Sequence, residues 1–268
     1  MLRLYDTHNH AHDARFAASA ESVCEVARAV GVQRMVVNGT HEGDWANVAR
    51  LHQQYPDLVI PSFGLHPWSV PDRSPGWCEQ LVEWLDRYPH AIGEIGLDRW
   101  KRDLPFTDQV EVFTTQLRLA AERNLPASIH CLDAWGPLVE AIERGPVPDR
   151  GFLVHSFGGS HEIAERLIKR GSYFSFAGAF ARQRKERLRR TFQQLPRDRL
   201  LIETDAPDQM PPSQLITHPC RDNHGEPLNH PANLDAIYRF VAADWSVSES
   251  ELATTVEANF QRLFGGVG

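Results

Sequence analysis

The chain has 268 residues, 42% hydrophobic and 24% charged, the make-up of a globular chain with enough apolar mass for a large core. Its formal net charge of −7 excludes a protein that coats nucleic acid non-specifically, because such binding rests on neutralising phosphates. No apolar stretch is long enough to span a bilayer, and Met1–Asp6 runs into a strand pattern without a leader-like apolar region. A cytoplasmic, monomeric protein with no membrane partner is expected. The scattered Cys24, Cys78, Cys131 and Cys220 form no CxxC pair and read as reduced structural thiols.

In chain order, eight short apolar runs predict strands. They are Leu2–Asp6, Met35–Gly39, Val59–Gly64, Ala91–Gly96, Ala127–His130, Phe152–His155, Tyr173–Phe176 and Leu200–Thr204. Between them, helical spacing predicts Ala20–Val30, Trp45–Gln54, Glu79–Tyr88, Thr107–Arg123, Gly136–Arg144, His161–Lys169 and Glu186–Gln194. Two more helices, Asn233–Ala243 and Glu249–Leu263, follow the last strand. Eightfold alternation predicts one (β/α)8 TIM barrel over residues 1–268, and no Gly-rich dinucleotide turn follows the first strand to favour an open sheet. The long irregular segment Asp208–Ala232 is expected to hang over the mouth as a lid.

Metal-type ligands sit where these strands end. His8 and His10 follow the first, and residues two apart on an extended end face one side. Glu94 lies inside the fourth, where a carboxylate is costly unless paired or metal-bound, and two oxygens suit it to bridge two ions. His130 and His155 end the fifth and sixth and complete a second ion site with Glu94; Asp205 ends the eighth, beside His8 and His10. Carboxyl ends of barrel strands converge on one face, so these six residues predict a two-metal hydrolytic centre. Asp205 is expected to be the general base for an attacking water.

Other residues fall around this set. Asp98 is expected to support a ligand or cap a helix, and Glu203 to turn to the other face toward a cationic or polar partner. His66, after the third strand, is placed in the mouth but away from the ligands, to polarise or contact substrate. Trp68, Trp100 and Trp135 follow strands three to five, where they would stack on unpaired bases or line an acyl pocket. Arg182 and Arg184 open the basic helix after strand seven and are offered as phosphate contacts.

Together, Asp6–His10, Gly64–Pro67, Ile92–Asp98, Gln109–His130, His155–Ser160, Leu200–Pro207 and Asn259–Phe264 make the chain resemble the TatD-type metal-dependent hydrolases of the amidohydrolase superfamily. The resemblance implies a phosphodiesterase-like site with deoxyribonuclease activity, expected here on single-stranded ends through a metal-activated hydroxide. It assigns His8, His10 and Asp205 to one ion, His130 and His155 to the other, and Glu94 to both. Family members are assigned magnesium, manganese or zinc. Two family arginines, natural phosphate contacts, are replaced by Leu132 and Leu228, while Asn229 remains to orient substrate. The departures keep a second expectation open, a metal-dependent esterase or amidase acting on a small substrate such as an aminoacyl ester or lactone.

Overall fold

The computed structural model describes residues 2–16 and 18–266. Eight strands alternate with seven helices: β1 (Leu4–Asn9), α1 (Ala20–Ala29), β2 (Val32–Asn38), α2 (Trp45–Gln54), β3 (Val59–Phe63), α3 (Trp77–Arg87), β4 (Ala91–Asp98) and α4 (Phe106–Arg123). Then come β5 (Ala127–Leu132), α5 (Trp135–Arg144), β6 (Phe152–Val154), α6 (His161–Ile168), β7 (Ser172–Ala177), α7 (Glu186–Gln194) and β8 (Leu200–Glu203). A small hairpin, β9 (Cys220–Arg221) with β10 (Pro227–Leu228), precedes α8 (Leu234–Asp244) and α9 (Glu249–Phe264).

The eight large strands pair in sequence order, all parallel, as the alternating pattern predicts. The first and last strands close the barrel through two backbone bonds at its top: Asp205 N donates to His8 O (3.0 Å) and His10 N to Ala206 O (2.7 Å). Deeper down, Thr7 Oγ1 donates to Ile202 O. The fold is a (β/α)8 barrel. Residues such as Ile92, Ile95, Ile129, Leu153, Phe174 and Ile202 are fully buried, because parallel strands are covered on both faces. Helix starts are set by Ser19, Ser160 and Ser248, whose hydroxyls accept backbone N–H bonds from the first turns of α1, α6 and α9.

Three strands run further than their apolar runs. The expected first strand, Leu2–Asp6, lies at Leu4–Asn9, so Thr7, His8 and Asn9 are inside it. Similarly, β4 reaches Asp98 and β5 reaches Leu132. In β1 hydropathy stops at Thr7, where polar side chains begin, but the ladder continues because those side chains are bonded inside the barrel; β4 and β5 extend together, pairing Leu97 with Cys131 and Asp98 with Leu132. Gly96 permits one such extension. Its φ is +153°, and a Cβ there would stand 2.0 Å from His130 O, so only glycine lets β4 lie against β5 at the height of the histidine.

The segment after β8 covers the mouth only with its first residues. Asp208 and Gln209 line the central cavity, and Arg15 clips Asp208 to Asp13 through paired contacts of 2.6–2.9 Å. Beyond them the hairpin is tied to the segment after β1, with Asp222 bridged to Phe16. Among the described residues no helix is long and apolar enough to cross a membrane.

Candidate metal centre

Six side chains from five strand ends meet under a cavity of about 690 Å³. Glu94 stands between them. Its Oε2 lies 3.4 Å from His8 Nε2 and 3.3 Å from His10 Nε2; its Oε1 lies 3.0 Å from His130 Nδ1 and 2.9 Å from His155 Nε2. Asp205 Oδ1 lies 3.6 Å from both His8 Nε2 and His10 Nε2. One carboxylate thus faces two imidazole pairs with different oxygens.

The hydrogen bonds behind each ring decide which nitrogen carries a lone pair. His10 Nδ1 donates to Asn38 O (2.7 Å), which makes Nε2 the nitrogen that faces Glu94 and Asp205 and carries the lone pair when the ring is neutral. His8 Nδ1 lies 2.7 Å from Ser128 Oγ and 3.1 Å from Asn38 Nδ2, so these two side chains hold that edge of the ring and turn Nε2, buried without a hydrogen-bond partner, toward Glu94. His130 Nε2 donates to Asp98 Oδ2 (3.0 Å), which turns the Nδ1 lone pair to Glu94 and, at 3.2 Å, to His155 Nε2. Ring nitrogens and carboxylate oxygens this close need positive charge between them, a proton or a metal cation.

A cation fits. An ion held at about 2.1 Å by nitrogens and oxygens has ligand atoms about 3.0–3.4 Å apart, the spacing seen around Glu94. Ligand atoms in His8, His10 and Glu94 lie within 4.8 Å of one another, as do those in His8, His155 and Asp205. A third such group joins His66, Glu94 and His130.

His66 is therefore a correction to its expected distance from the ligands: its Nε2 is 3.4 Å from Glu94 Oε1. Its Nδ1 accepts from Trp68 N (3.1 Å), which puts the proton on Nε2 and makes the ring a donor toward Glu94. Burial, with His130 and His10 nearby, holds the His66 pKa below the imidazole range despite Glu94.

Electrostatics follow the crowding. Burial opposes charge on Glu94, yet the surrounding imidazoles hold its carboxyl well below the usual range. Burial opposes protonation of His10 and His155, but Glu94, with Asp205 at the first ring and Glu203 at the second, carries both well above the ordinary value. His8 goes the other way, lowered by burial and by His155, whose ring stacks on it at 3.9 Å. Asp98 is held at about 2 against burial by His130 and Trp68. Beneath the site, burial pushes Asp6 up to about 7, although Thr204 donates to it twice.

Several expectations change. Glu203 does not turn away: fully buried, it accepts from the N–H and hydroxyl of Ser156 and from Ser175 Oγ, and lies 3.6 Å from His155 Nδ1. Its strand ends there, and Asp205 adopts φ +54°, so simple alternation does not relate the two carboxylates. Asn229 does not reach substrate space. It is buried, with Nδ2 donating to Thr204 O and Oδ1 accepting from His230 N and Asn233 Nδ2. Arg182 spends its guanidinium on Met210 O. Trp135 packs edge-on against Phe157 rather than at the mouth. Trp68 and Trp100 do stand at the rim, 38% and 61% exposed.

Sequence reading missed Asn38 and Ser128, which orient His8 and His10, and the wall formed by His12, Thr40 and Asp44. The signal was a polar residue closing or interrupting an apolar strand, as Asn38 does after Met35-Val36-Val37.

Comparison with known proteins adds the lineage. The profile of the TatD related DNase family matches residues 5–265. The "uncharacterized metal-dependent hydrolase" YabD of Bacillus subtilis is 31% identical over 97% of this chain and 98% of its own. The 3'-5' ssDNA/RNA exonuclease TatD of Pantoea vagans is 31% identical over 93% of this chain and 95% of its own. Among solved structures, the TatD homologue YjjV of Escherichia coli superposes with a TM-score of 0.87 at 30% identity, covering 98% of each chain. A TatD-family hydrolase from Entamoeba histolytica, at 19% identity and TM-score 0.82, shares the fold. With a barrel of this topology, buried ligand groups at its mouth and a family match over nearly its whole length, the chain is a metal-dependent hydrolase belonging to the TatD-related DNase family.

Proposed function

We propose that this chain is a two-ion phosphodiesterase that trims single-stranded nucleic acid from an end. The observation that carries the reading is the division of Glu94: one oxygen faces His8 and His10, the other His130 and His155. That arrangement suits a carboxylate shared by two divalent ions, zinc, manganese or magnesium, with Asp205 completing the first set. The ions, when bound, would bring water toward ionisation at neutral pH and offset charge on the phosphoryl oxygens. The ssDNA/RNA exonuclease named among the relatives favours this bond type.

The chain's own groups have distinct tasks in this reading. Asp205 accepts the proton of the attacking water at a carboxylate oxygen. His66 presents Nε2–H to an oxygen at the centre, held in that state by Trp68 N. Asp98 and Ser128 keep His130 and His8 in register. A second reading, hydrolysis of a small ester or amide, is favoured by one observation: Leu132, 38% exposed at the end of β5, presents an apolar side chain to the cavity.

The test is ion-reconstituted hydrolysis of end-labelled single-stranded DNA by the native protein and by Asp205→Asn, with ion content measured on both. Loss of a general base costs about 10²–10⁴ in turnover. Shortening by the native protein, reduced by that factor in a variant that retains its ions, supports the nuclease. Intact DNA with ion-loaded native protein removes it and turns the search to esters and amides.

A further inference from the structure

Three large apolar side chains are exposed among the described residues: Trp68, Trp100 and Leu132. All three stand on one side of the metal mouth. Leaving large apolar side chains in water forgoes the gain of burying them, so their clustering at one rim marks an interaction site rather than scatter.

The patch is built rather than loose. Asp98 Oδ1 accepts from Trp100 N (2.7 Å) and Lys101 N (3.2 Å), fixing the turn after β4, while Asp98 Oδ2 accepts from Trp68 Nε1 (2.9 Å). The same carboxylate orients His130, so the turn is tied to the metal centre. Lys101 Nζ lies 3.7 Å from the centre of the Trp68 ring, and Arg99 stacks on Phe106 at 3.9 Å. The two indoles are near-parallel, 29° apart, with centroids 6.2 Å apart. A run of rings leads outward from the centre: His130 to His66 at 4.6 Å, His66 to Trp68 at 5.2 Å, then Trp68 to Trp100.

Cations follow the rings. Arg99, Lys101 and Arg102 line a shallow recess beside Trp100, and none of them forms a salt bridge among the described residues. Asp98, already spent on the turn, and Asp133 are the acids of that recess. In a chain of net charge −7, cations outnumber acids in this recess, three to two, beside the paired indoles.

We propose that Trp68, Trp100 and the Arg99–Arg102 turn form the entry track for an unpaired nucleic-acid strand. One base stacks on the open face of Trp100 and the neighbouring phosphates lie against Lys101 and Arg102. This rests on the phosphodiesterase reading and deepens it: the cations that Leu132 and Leu228 do not provide come from the β4 turn instead. Flat aromatic faces with flanking cations suit bases and phosphates in alternation, and a base accepts such a face whatever its identity. An acyl chain would have no use for the cations. Because the turn is already fixed, little ordering cost opposes binding.

Binding is read apart from turnover in ion-loaded Asp205→Asn protein, following tryptophan emission as a short oligothymidylate is added. Emission should be quenched, and adding Trp100→Ala should remove most of the quench and weaken binding about tenfold. Trp100→Phe should restore affinity, which a loss through misfolding would not allow. Arg102→Ala should make the affinity less steeply dependent on salt. Equal affinity and quench with and without Trp100 overturns the track. Quenching by a naphthyl ester but not by oligothymidylate would also overturn it, as would self-association that Trp100→Ala abolishes. Trp100-dependent binding by a protein that leaves labelled DNA intact would keep the track and discard the phosphodiesterase.

Discussion

The Ser128 hydroxyl, 2.7 Å from His8 Nδ1, is a neutral group at the floor of the site, yet with Asn38 Nδ2 it fixes the ring that aims Nε2 at Glu94. Replacing it by alanine removes one hydrogen-bond partner of Nδ1 and loosens the ring. Partners of this kind are worth about 10–100-fold in metal affinity. Ser128→Ala should therefore weaken ion binding by that factor in a chelator-competition titration, with little change in the unloaded protein's melting temperature. Unaltered affinity would mean that Asn38 alone orients His8. The same logic explains which site residues were legible in the sequence. His8, His10, Glu94, His130, His155 and Asp205 are chemically conspicuous at strand ends. Roles set by a partner's hydrogen bonds, as in His66 and Asn229, depend on contacts between distant segments and leave no local pattern.

At the scale of elements, the contact of β4 with β5 is the tightest constraint on the site. A Gly96→Ala methyl would stand 2.0 Å from His130 O on a backbone at φ +153°. The strands must part or the backbone must change. Destabilisation of about 2–4 kcal/mol is expected in denaturant unfolding, with activity lost at temperatures where the fold persists, because His130 moves with its carbonyl. Near-native activity in a destabilised variant would uncouple the two. The turn into α8 carries a pH dependence. His230 accepts from Ala232 N through Nδ1, and burial, with His218 nearby, lowers its pKa to about 4. The unfolded chain protonates near 6.5 and the folded one near 4, so this contribution is whole above pH 6.5 and is lost as pH falls toward 4. The loss amounts to about 3 kcal/mol at most. His230→Asn keeps an acceptor at the same place without the titration, and should flatten the fall in stability between pH 6.5 and 4. An unchanged slope would assign it to other groups.

On the whole-molecule scale, the barrel was legible because its strands are apolar runs and its helices amphipathic, periods that survive in one dimension. The ends of β1, β4 and β5 were not: β1 is continued by polar residues whose partners lie across the barrel, and β4 and β5 are continued by pairing with each other, which one strand's hydropathy does not carry. The same convergence ties stability to ions. Without a metal the imidazoles around Glu94 must take up protons to sit this close to its carboxylate, and a bound cation replaces those protons with stronger contacts. Chelation should lower the melting temperature. Adding an ion at 100 times its dissociation constant should return about 2.7 kcal/mol, read as a concentration-dependent rise in calorimetry. A melting temperature indifferent to both would show that the unloaded cluster is relaxed by protonation alone.

The seam between β1 and β8 carries one more consequence. His8 and His10 come from the first strand, Asp205 follows the last, and the backbone bonds that join Asp205 to His8 and His10 to Ala206 are also those that close the ring. During synthesis the histidines leave the ribosome long before their carboxylate partner exists. A nascent or clipped barrel lacking its eighth strand holds only a partial cradle, so hydrolytic competence arrives with ring closure. A fragment without its eighth strand would lack a ligand as well as a wall, and the closing of the ring completes fold and site in one event.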